Sequence, residues 1–355
     1  MTQRKRVALQ RGSFLSSTLP LDAAAIVLGA GAALWRPAPE WVESVFSNGY
    51  YPHWQHFWSA FTAVLPFALG DLVIGAGVLG AIAALAFVRP FWRGLLGACA
   101  LAGAYSLWFY AGWGYGYDRA ALETRAAFDP SRIDRKTTDA LRTRAIAQMN
   151  RLAGIAHSRR RGDAFDAGDL RDAWTPVVQR LGDRWTPHVQ PAKPAVAGWF
   201  MDRSGTSGFT NPFTLETQLA PDLLWFERPF AQAHEWSHAA GYNREDEANY
   251  IAALSCLRSR DPVVQYSGWL ELFLYLPPLK AYPHRLFVPL VWRDFAAIRA
   301  RNAHFVNLNL SRFSWRVYNS YLKSNHVASG VENYNEVTRL LAGIPLDRDG
   351  LPVAK

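Results

Sequence analysis

The sequence predicts a mainly α-helical protein in which N-terminal transmembrane helices precede a helical domain with a small β-sheet or hairpin. Three observations lead to this prediction. The first third of the chain contains long uncharged runs, much of the remainder has apolar residues at helical spacing, and a stretch rich in proline and glycine holds two strand-like runs. With 355 residues, half of them hydrophobic, the chain is long enough to bury a full core.

Three apolar segments in residues 1–117 are expected to cross a membrane. Residues 72–88 and 94–117 carry no charge, and residues 19–35 carry only Asp22. Each segment approaches the ~20 residues that a helix needs to span a bilayer. We predict membrane helices at about 14–35, 68–88 and 94–114, followed by a separate domain over residues 118–355. Seven tryptophans gather near the ends of these segments, as in an interfacial aromatic belt: Trp35, Trp41, Trp54, Trp58, Trp92, Trp108 and Trp113.

Flanking cations predict the orientation of these segments. A cluster of lysine and arginine precedes the first segment, and Arg89 and Arg93 lie between the second and the third. Positively charged loops stay in the cytoplasm, so everything after Tyr117 is expected to lie outside. We therefore predict a multi-pass protein of the inner (cytoplasmic) membrane with its domain on the periplasmic or extracellular side. A cleaved signal peptide in place of the first helix gives the same orientation, whereas a first segment that never enters the membrane reverses it.

Charge and cysteine content narrow the choice of partners. The net charge is +9, yet no recognisable nucleic-acid-binding module accompanies the basic runs, so no nucleic acid partner is expected. These runs are interpreted as solvated helix faces or contacts to anionic lipid headgroups, which makes the lipid bilayer the expected partner. Cys99 lies in an apolar segment and Cys256 in a predicted helix, so a disulfide between them is not expected. The oligomeric state is not indicated.

The region after residue 117 is expected to be mostly helical. Residues 118–190 show helical spacing on both sides of a polar loop at 157–168. Two strand-like runs follow, at 195–201 and 209–217. More helices are expected after residue 257, including one that carries Tyr318 and Tyr321, then a loop at 324–330 and a helix that begins near Asn333.

An H-E-x-x-H motif at residues 234–238 is the most informative pattern in the chain. In a helix, His234 and His238 lie one turn apart on one face and can share a metal ion, while Glu235 is placed to accept a proton from a metal-bound water. Pro229 is typical of a first helical turn, and Gly241 is typical of the residue that ends a helix. The alternative is a pair of ordinary helical histidines that face polar neighbours.

A third ligand is expected from the acidic run that follows. Catalytic zinc usually takes three protein ligands and leaves one position for water. We favour Glu245, because a helix over residues 245–257 would place Asn249 one turn further on, where its amide can hydrogen-bond a ligating histidine. Glu247 is the second candidate, and Asp246 is expected to cap the helix or face solvent. Acids are also favoured in any first helical turn, which accounts for part of this run.

Four stretches of the chain resemble a known family: GFTNPFTLET, HEWSHAAGYNREDEANYIAALSC, VVQYSGWLE and YLKSNHVASGVENYNEVTRLL. They are similar to bacterial membrane proteins catalogued as a domain of unknown function, which in turn resemble zinc metallopeptidases of the gluzincin type. The resemblance covers roughly residues 195–342. It implies a zincin-like fold with Zn²⁺ on His234, His238 and Glu245. Many gluzincins have a longer insertion before the glutamate; here only residues 239–244 intervene, so Gly241 must turn the chain sharply.

The expected function is that of a membrane-anchored zinc metallopeptidase acting on a peptide or protein substrate. Zinc would lower the pKa of a bound water towards ~7, and Glu235 would serve as general base and then pass the proton to the leaving amine. The oxyanion donor is left open among Tyr334, Tyr321 and His326. The strand-like runs before the motif either hold substrate by strand addition or form an ordinary hairpin under the helix.

Two other functions compete with this expectation. A non-catalytic membrane-bound sensor or scaffold would keep the metal or the fold in order to bind a peptide or a cell-envelope partner. Glu235 argues against it, because a structural zinc site needs no base and fills its fourth position with protein. A transporter is disfavoured because the apolar segments contain almost no ionisable residues, which mark transport pathways.

Overall fold

A computed structural model describes residues 19–160, 162, 164–279, 282–325, 327 and 337–355. Within these residues the chain is mainly helical and contains a small antiparallel sheet of two strands, as predicted. The predictions for His326, for Tyr334 and for a helix that begins near Asn333 concern residues outside those that the structure describes.

The N-terminal region contains α1 (Leu19–Leu34), α2 (Tyr51–Ala63), α3 (Leu69–Phe87) and α4 (Phe91–Gly112). Helices α3 and α4 are each long and apolar enough to cross a membrane, and they coincide with two of the predicted spans. A third span is reached if α1 is counted with the bent stretch Pro39–Ala63. Helix α1 packs closely on α4 because glycines face each other: a Cβ at Gly29 would lie 2.2 Å from the Gly103 carbonyl oxygen.

Residues 36–71, which connect the first two predicted spans, are largely helical. A short helical turn (Pro39–Trp41) and a π-helix (Val42–Tyr50) lead into α2, and the axis of Pro39–Ala63 is bent by 109° from that of α1. Helix α2 was not predicted from the sequence because most side chains on its buried face are polar. A helix on a water-soluble domain usually buries its apolar side chains instead.

The chain after α4 continues through a 3₁₀ turn (Gly114–Asp118), α5 (Leu122–Arg125) and a second 3₁₀ turn (Pro130–Arg132). Four α-helices and two strands then precede the motif region or form part of it. They are α6 (Arg135–Arg159), α7 (Ala167–Arg180), α8 (Gly198–Ser204), β1 (Gly208–Thr210), β2 (Thr217–Leu219) and α9 (Arg228–Ala239). The last part contains α10 (Glu245–Arg258), α11 (Pro262–Tyr275), a 3₁₀ turn (His284–Leu286), α12 (Pro289–Phe305), α13 (Leu308–Ser324) and α14 (Val337–Gly343).

Helices α6 and α7 confirm the prediction for residues 118–190, but the strands differ from it. Residues 195–201 do not form a strand; they lead into α8, which ends at Gly205 with a left-handed φ of +74°. Strand β1 pairs with β2 in antiparallel register, with Phe209 opposite Gln218. The second predicted run, residues 209–217, is therefore not one strand: it covers the end of β1, a turn at Asn211–Glu216 and the first residue of β2.

The main core of the C-terminal region surrounds α10. This helix is buried on nearly every side, and it packs against α7, α9 and α11 through a cluster that includes Trp174, Trp236, Tyr250 and Ile251. A second cluster joins α6, α11 and α12. Because α10 is so deeply buried, each of the three acids in its first turn needs a hydrogen-bond donor or a cation nearby to offset the cost of burying its charge.

The two regions share a packed boundary. Glu216 accepts hydrogen bonds from the backbone N–H groups of Leu69 (3.1 Å) and Gly70 (2.8 Å), and thereby caps the first turn of α3. At the end of α4, the Asn243 amide donates to the Trp113 carbonyl oxygen at 2.9 Å. The start of α3 and the end of α4 therefore both contact the C-terminal region, so the turn between α3 and α4, with Arg89, lies at the opposite end of this helix pair.

Candidate metal centre

The two predicted histidine ligands lie on a helix with clear start and stop signals. Helix α9 has Pro229 in its first turn, where the missing N–H costs no hydrogen bond. The chain turns at Gly241, whose φ of +93° lies in the left-handed region that favours glycine. Helix α10 then begins at Glu245, so its first turn faces the last turn of α9. Both helices and the turn between them confirm the sequence prediction.

His234, His238 and Glu245 converge on one point. Glu245 Oε2 lies 3.2 Å from His234 Nε2 and 3.5 Å from His238 Nε2, and the ligand atoms of all three residues lie within 4.8 Å of one another. Glu245 and His238 are buried, and the His234 side chain is 13% exposed. Among the described residues this is the one group of three His, Cys, Asp or Glu side chains that could hold a metal ion.

The chemistry of these donors fits a shared cation. His238 Nδ1 lies 2.7 Å from the Tyr242 carbonyl oxygen, and because a carbonyl can only accept, Nδ1 donates and Nε2 faces Glu245. Within the described residues, Glu245 Oε2 is buried without a well-aligned hydrogen bond, although both imidazoles lie within 3.5 Å. A buried carboxylate oxygen aimed between two imidazole nitrogens matches the nitrogen and oxygen donor set of a zinc site.

The charges within the cluster attract one another. Burial by itself raises the pKa of the Glu245 carboxyl, but His238 and His234 outweigh it and hold this pKa well below its usual range. For His238, burial lowers the pKa, whereas the charge of Glu245 raises it to about 9. The cluster thus has a strong preference for positive charge beside Glu245, which protons or a metal cation can supply.

Glu235 lies next to this cluster and is held by strand β1. The Thr210 hydroxyl donates to Glu235 Oε2 at 2.6 Å. The backbone of Gly208 passes so close that a Cβ there would lie 2.3 Å from Glu235 Oε1. Burial raises the pKa of Glu235, although the neighbouring imidazoles and the Thr210 hydroxyl oppose it. A raised carboxyl pKa is suited to a group that takes and returns a proton near neutral pH.

A tyrosine that the sequence analysis gave no role contacts the cluster. The Tyr318 hydroxyl on α13 donates to Glu245 Oε1, which leaves Oε2 to face the histidines. The Tyr318 ring stacks on Tyr321 at 5.7 Å between ring centroids, and the Tyr117 hydroxyl donates to the Tyr321 hydroxyl at 3.1 Å. Tyr321, one of the three candidate oxyanion donors, is therefore engaged with Tyr117.

The other acids of the run have different partners. Glu247, the second candidate for the third ligand, accepts from the Leu122 backbone N–H at 2.8 Å and pairs with Arg125 at 3.1 Å, so it does not join the cluster. Of the two placements expected for Asp246, a cap of the helix or a position in solvent, the second is wrong: Asp246 is 5% exposed, and burial raises its pKa to about 7. The prediction for Asn249 is wrong too, because its side-chain oxygen accepts from Tyr275 and it bonds neither histidine.

The fold and the site together describe a mainly helical protein with two to three helices apolar enough to cross a membrane and a buried His/His/Glu cluster. A family model matches residues 46–342, most of the chain, and its family is described as "Protein of unknown function (DUF3810)". The chain belongs to this family, which confirms the predicted membership of a domain of unknown function. No curated protein and no solved structure matches the chain.

Proposed function

We propose that this chain is a membrane-anchored zinc metallopeptidase with a zincin-like catalytic domain. The observation that carries the proposal is the convergence of His234, His238 and Glu245, with the Glu235 carboxylate beside them. These three residues would hold Zn²⁺, which when bound polarises a substrate carbonyl and acidifies a water molecule.

Glu235 is the proton carrier in this proposal. Its carboxylate accepts the proton and later returns it to the leaving amine, while the Thr210 hydroxyl bonds Oε2 and fixes the position of the group. The raised pKa of this buried carboxyl supports both proton transfers. A higher pKa makes the carboxylate a stronger base towards water, and it keeps the proton bound near neutral pH until the leaving amine takes it. Tyr318 orients Glu245, and the Tyr242 carbonyl orients His238, so both ligands have fixed positions.

Strand β1 is the proposed substrate-binding edge. Its hydrogen bonds to β2 and the adjoining backbone bonds at Ser207 and Asn211 show which residues face β2. By alternation, the N–H and C=O groups of Gly208 and Thr210 point away from β2, and the Thr210 side chain on the same strand faces Glu235. An extended peptide can add to that edge and bring a backbone carbonyl to the cluster.

The proposed location is the inner membrane, with the catalytic domain on the periplasmic or extracellular side. The turn with Arg89 lies at the end of α3 and α4 that is remote from the C-terminal region. If this positively charged turn stays in the cytoplasm, the metal centre lies outside.

The test uses the purified full chain and compares wild type, Glu235→Gln and His234→Ala. Glu235→Gln should keep its zinc and lose at least about 10²-fold in the rate of casein cleavage, because general base catalysis supplies a factor of that size or more. His234→Ala should lose both zinc and activity, whereas His304→Ala, at an exposed histidine on α12, should lose neither. Unchanged cleavage by Glu235→Gln would remove Glu235 from the mechanism, and zinc without any cleavage in wild type would favour a non-catalytic scaffold.

A further inference from the structure

Helix α2 has its polar and apolar faces arranged the opposite way round from a helix on a water-soluble domain. One stripe is buried although most of its side chains are polar: Tyr51, Gln55, Ser59 and Thr62. The opposite face is exposed and carries Phe57 (57% exposed) and Phe61 (48% exposed) together with Ala60, and it includes His53 and His56 in its first half. In water this arrangement leaves two phenylalanines uncovered, so the exposed face needs an apolar environment.

The buried stripe holds α2 against the C-terminal region. The Gln55 amide donates to the His188 carbonyl oxygen at 2.8 Å and accepts from the His188 N–H at 3.1 Å. One turn further on, the Gln190 amide donates to the Ser59 carbonyl oxygen at 2.6 Å. An interfacial helix ordinarily exposes its polar face to water, but in α2 this face forms hydrogen bonds to the C-terminal region. The aromatic face lies on the other side of the helix and therefore points away from the C-terminal region.

The same helix is joined directly to the helix that carries the H-E-x-x-H motif. The Tyr51 hydroxyl donates to the Ala239 carbonyl oxygen, one residue after His238, at 2.9 Å. Trp236, inside the motif, donates from its indole N–H to the Gln190 carbonyl oxygen at 2.6 Å. The position of α2 therefore sets the position of the metal cluster.

The exposed face of α2 continues onto the helices that are apolar enough to cross a membrane. Trp58 stacks on Trp108 of α4 at 5.4 Å between ring centroids, and exposed apolar side chains continue through Val64 and Phe67 to Leu72 of α3. The bend of 109° after α1 turns Pro39–Ala63 across the direction of α1. Residues 37–88 contain no lysine or arginine, and two of their three acids are bonded to the C-terminal region or the chain just before it, Glu43 to Arg119 and Asp71 to Val196 and Gln218. This continuity favours a bilayer over a protein partner.

We propose that α2 lies in the interface of the bilayer with Phe57 and Phe61 in lipid. The metal centre is thereby held beside the membrane surface. Its substrates are polypeptides that emerge from the bilayer. The lipid placement rests on α2 and its continuity with α3 and α4, and not on the proposed peptidase function. The substrate class rests in addition on the proposed peptidase function.

The lipid placement is tested with single fluorophores on the full chain in vesicles of phosphatidylcholine and phosphatidylglycerol. Phe57→Cys and Phe61→Cys are labelled separately, in a Cys99→Ala background because Cys99 is exposed. Lys136→Cys, at an exposed position on α6, is the matched control. Nitroxide-labelled lipids should quench the labels at 57 and 61, with a nitroxide near the headgroup more effective than one at the chain end, and should leave the label at 136 unquenched.

Two results would overturn the placement. Labels at 57 and 61 that no lipid nitroxide quenches would mean that water or a protein, such as a second copy of this chain, meets this face. Stronger quenching by the deep nitroxide would mean that Pro39–Ala63 enters the bilayer core instead of lying at its surface.

The substrate class is tested in the same vesicles with one peptide sequence, either tethered by a transmembrane segment or free at the same bulk concentration. Tethering to the surface on which the site lies should raise the cleavage rate by about 10²-fold through effective concentration. Equal rates would overturn the substrate class. Cleavage of neither peptide, with the α2 labels still quenched, would overturn the peptidase function and leave the lipid placement intact.

Discussion

Glu245 and Glu247 stand two residues apart in the first turn of α10, are equally buried, and have opposite surroundings. Glu247 faces a permanent cation and a backbone donor, Arg125 and the Leu122 N–H. Glu245 faces two imidazoles, whose charge depends on bound protons, and its Oε2 has no well-aligned hydrogen bond among the described residues.

The difference separates a structural ion pair from a site that can bind a ligand. A guanidinium cannot give up its charge, so the pair of Glu247 with Arg125 is complete and closed. Imidazoles can release their protons, so the charge beside Glu245 can be exchanged for a metal cation. These two acids of one helical turn therefore have different surroundings because different elements pack against them: α5 against Glu247, and α9 against Glu245.

The largest expected effect concerns the closed pair. Glu247→Gln leaves the Arg125 guanidinium opposite a neutral amide in a site where the two side chains are only 10% and 4% exposed. We expect a loss of about 3 kcal/mol in the free energy of unfolding, measured by denaturant unfolding of the full chain in detergent.

The control for that prediction is Glu123→Gln, because the Glu123 pair with Arg339 is at the surface, with Arg339 45% exposed. A surface pair contributes less than about 1 kcal/mol. If Glu123→Gln and Glu247→Gln lowered the free energy of unfolding equally, the description of Glu247 as a closed, buried pair would be wrong.

A smaller effect is expected from the tyrosine that orients Glu245. Tyr318→Phe removes the hydroxyl that donates to Glu245 Oε1 and keeps the ring that stacks on Tyr321. Zinc affinity should fall by about 10- to 100-fold, as is usual when a hydrogen bond to a ligand is lost, measured by competition with a chromogenic chelator. Tyr321→Phe, whose hydroxyl bonds Tyr117 instead, should change this affinity little, and equal losses in both variants would contradict the assignment.

The smallest effect is expected at the proposed base. Thr210→Val removes the hydrogen bond that stabilises the charged form of Glu235, so the pKa of this carboxyl should rise further. The base is active when deprotonated, and the acidic limb of the kcat/KM profile should therefore move to higher pH, by roughly one unit or less. A limb that stays in place or moves to lower pH would show that Thr210 does not act on the base.

Much of the fold was predictable because local signals agree with it. Proline at the start of α9, glycine after it and long uncharged runs in α3 and α4 are signals carried by neighbouring residues. The same reasoning placed His234, His238 and Glu245 together, because two helices joined by a tight turn leave few arrangements. The lack of a disulfide between Cys99 and Cys256 also agrees with the described structure.

What was missed depends on contacts between distant parts of the chain. Tyr318 reaches Glu245 across 73 positions, and no spacing rule links them. Helix α2 was not predicted because Gln55 and the Ser59 carbonyl form hydrogen bonds to the C-terminal region. Nothing in the sequence of residues 51–63 indicates those bonds. Residues 195–201 have the composition of a strand, yet tertiary packing places part of them in α8.

In the proposed site Glu245, and not Glu247, completes a metal centre with the two histidines. Zinc content of the purified full chain tests it most directly, with wild type, Glu245→Gln and Glu247→Gln dialysed against the same limiting zinc. We predict about one zinc per chain in wild type and in folded Glu247→Gln, and a clear loss in Glu245→Gln. Equal zinc content in Glu245→Gln and wild type, or no zinc in wild type, would contradict the account.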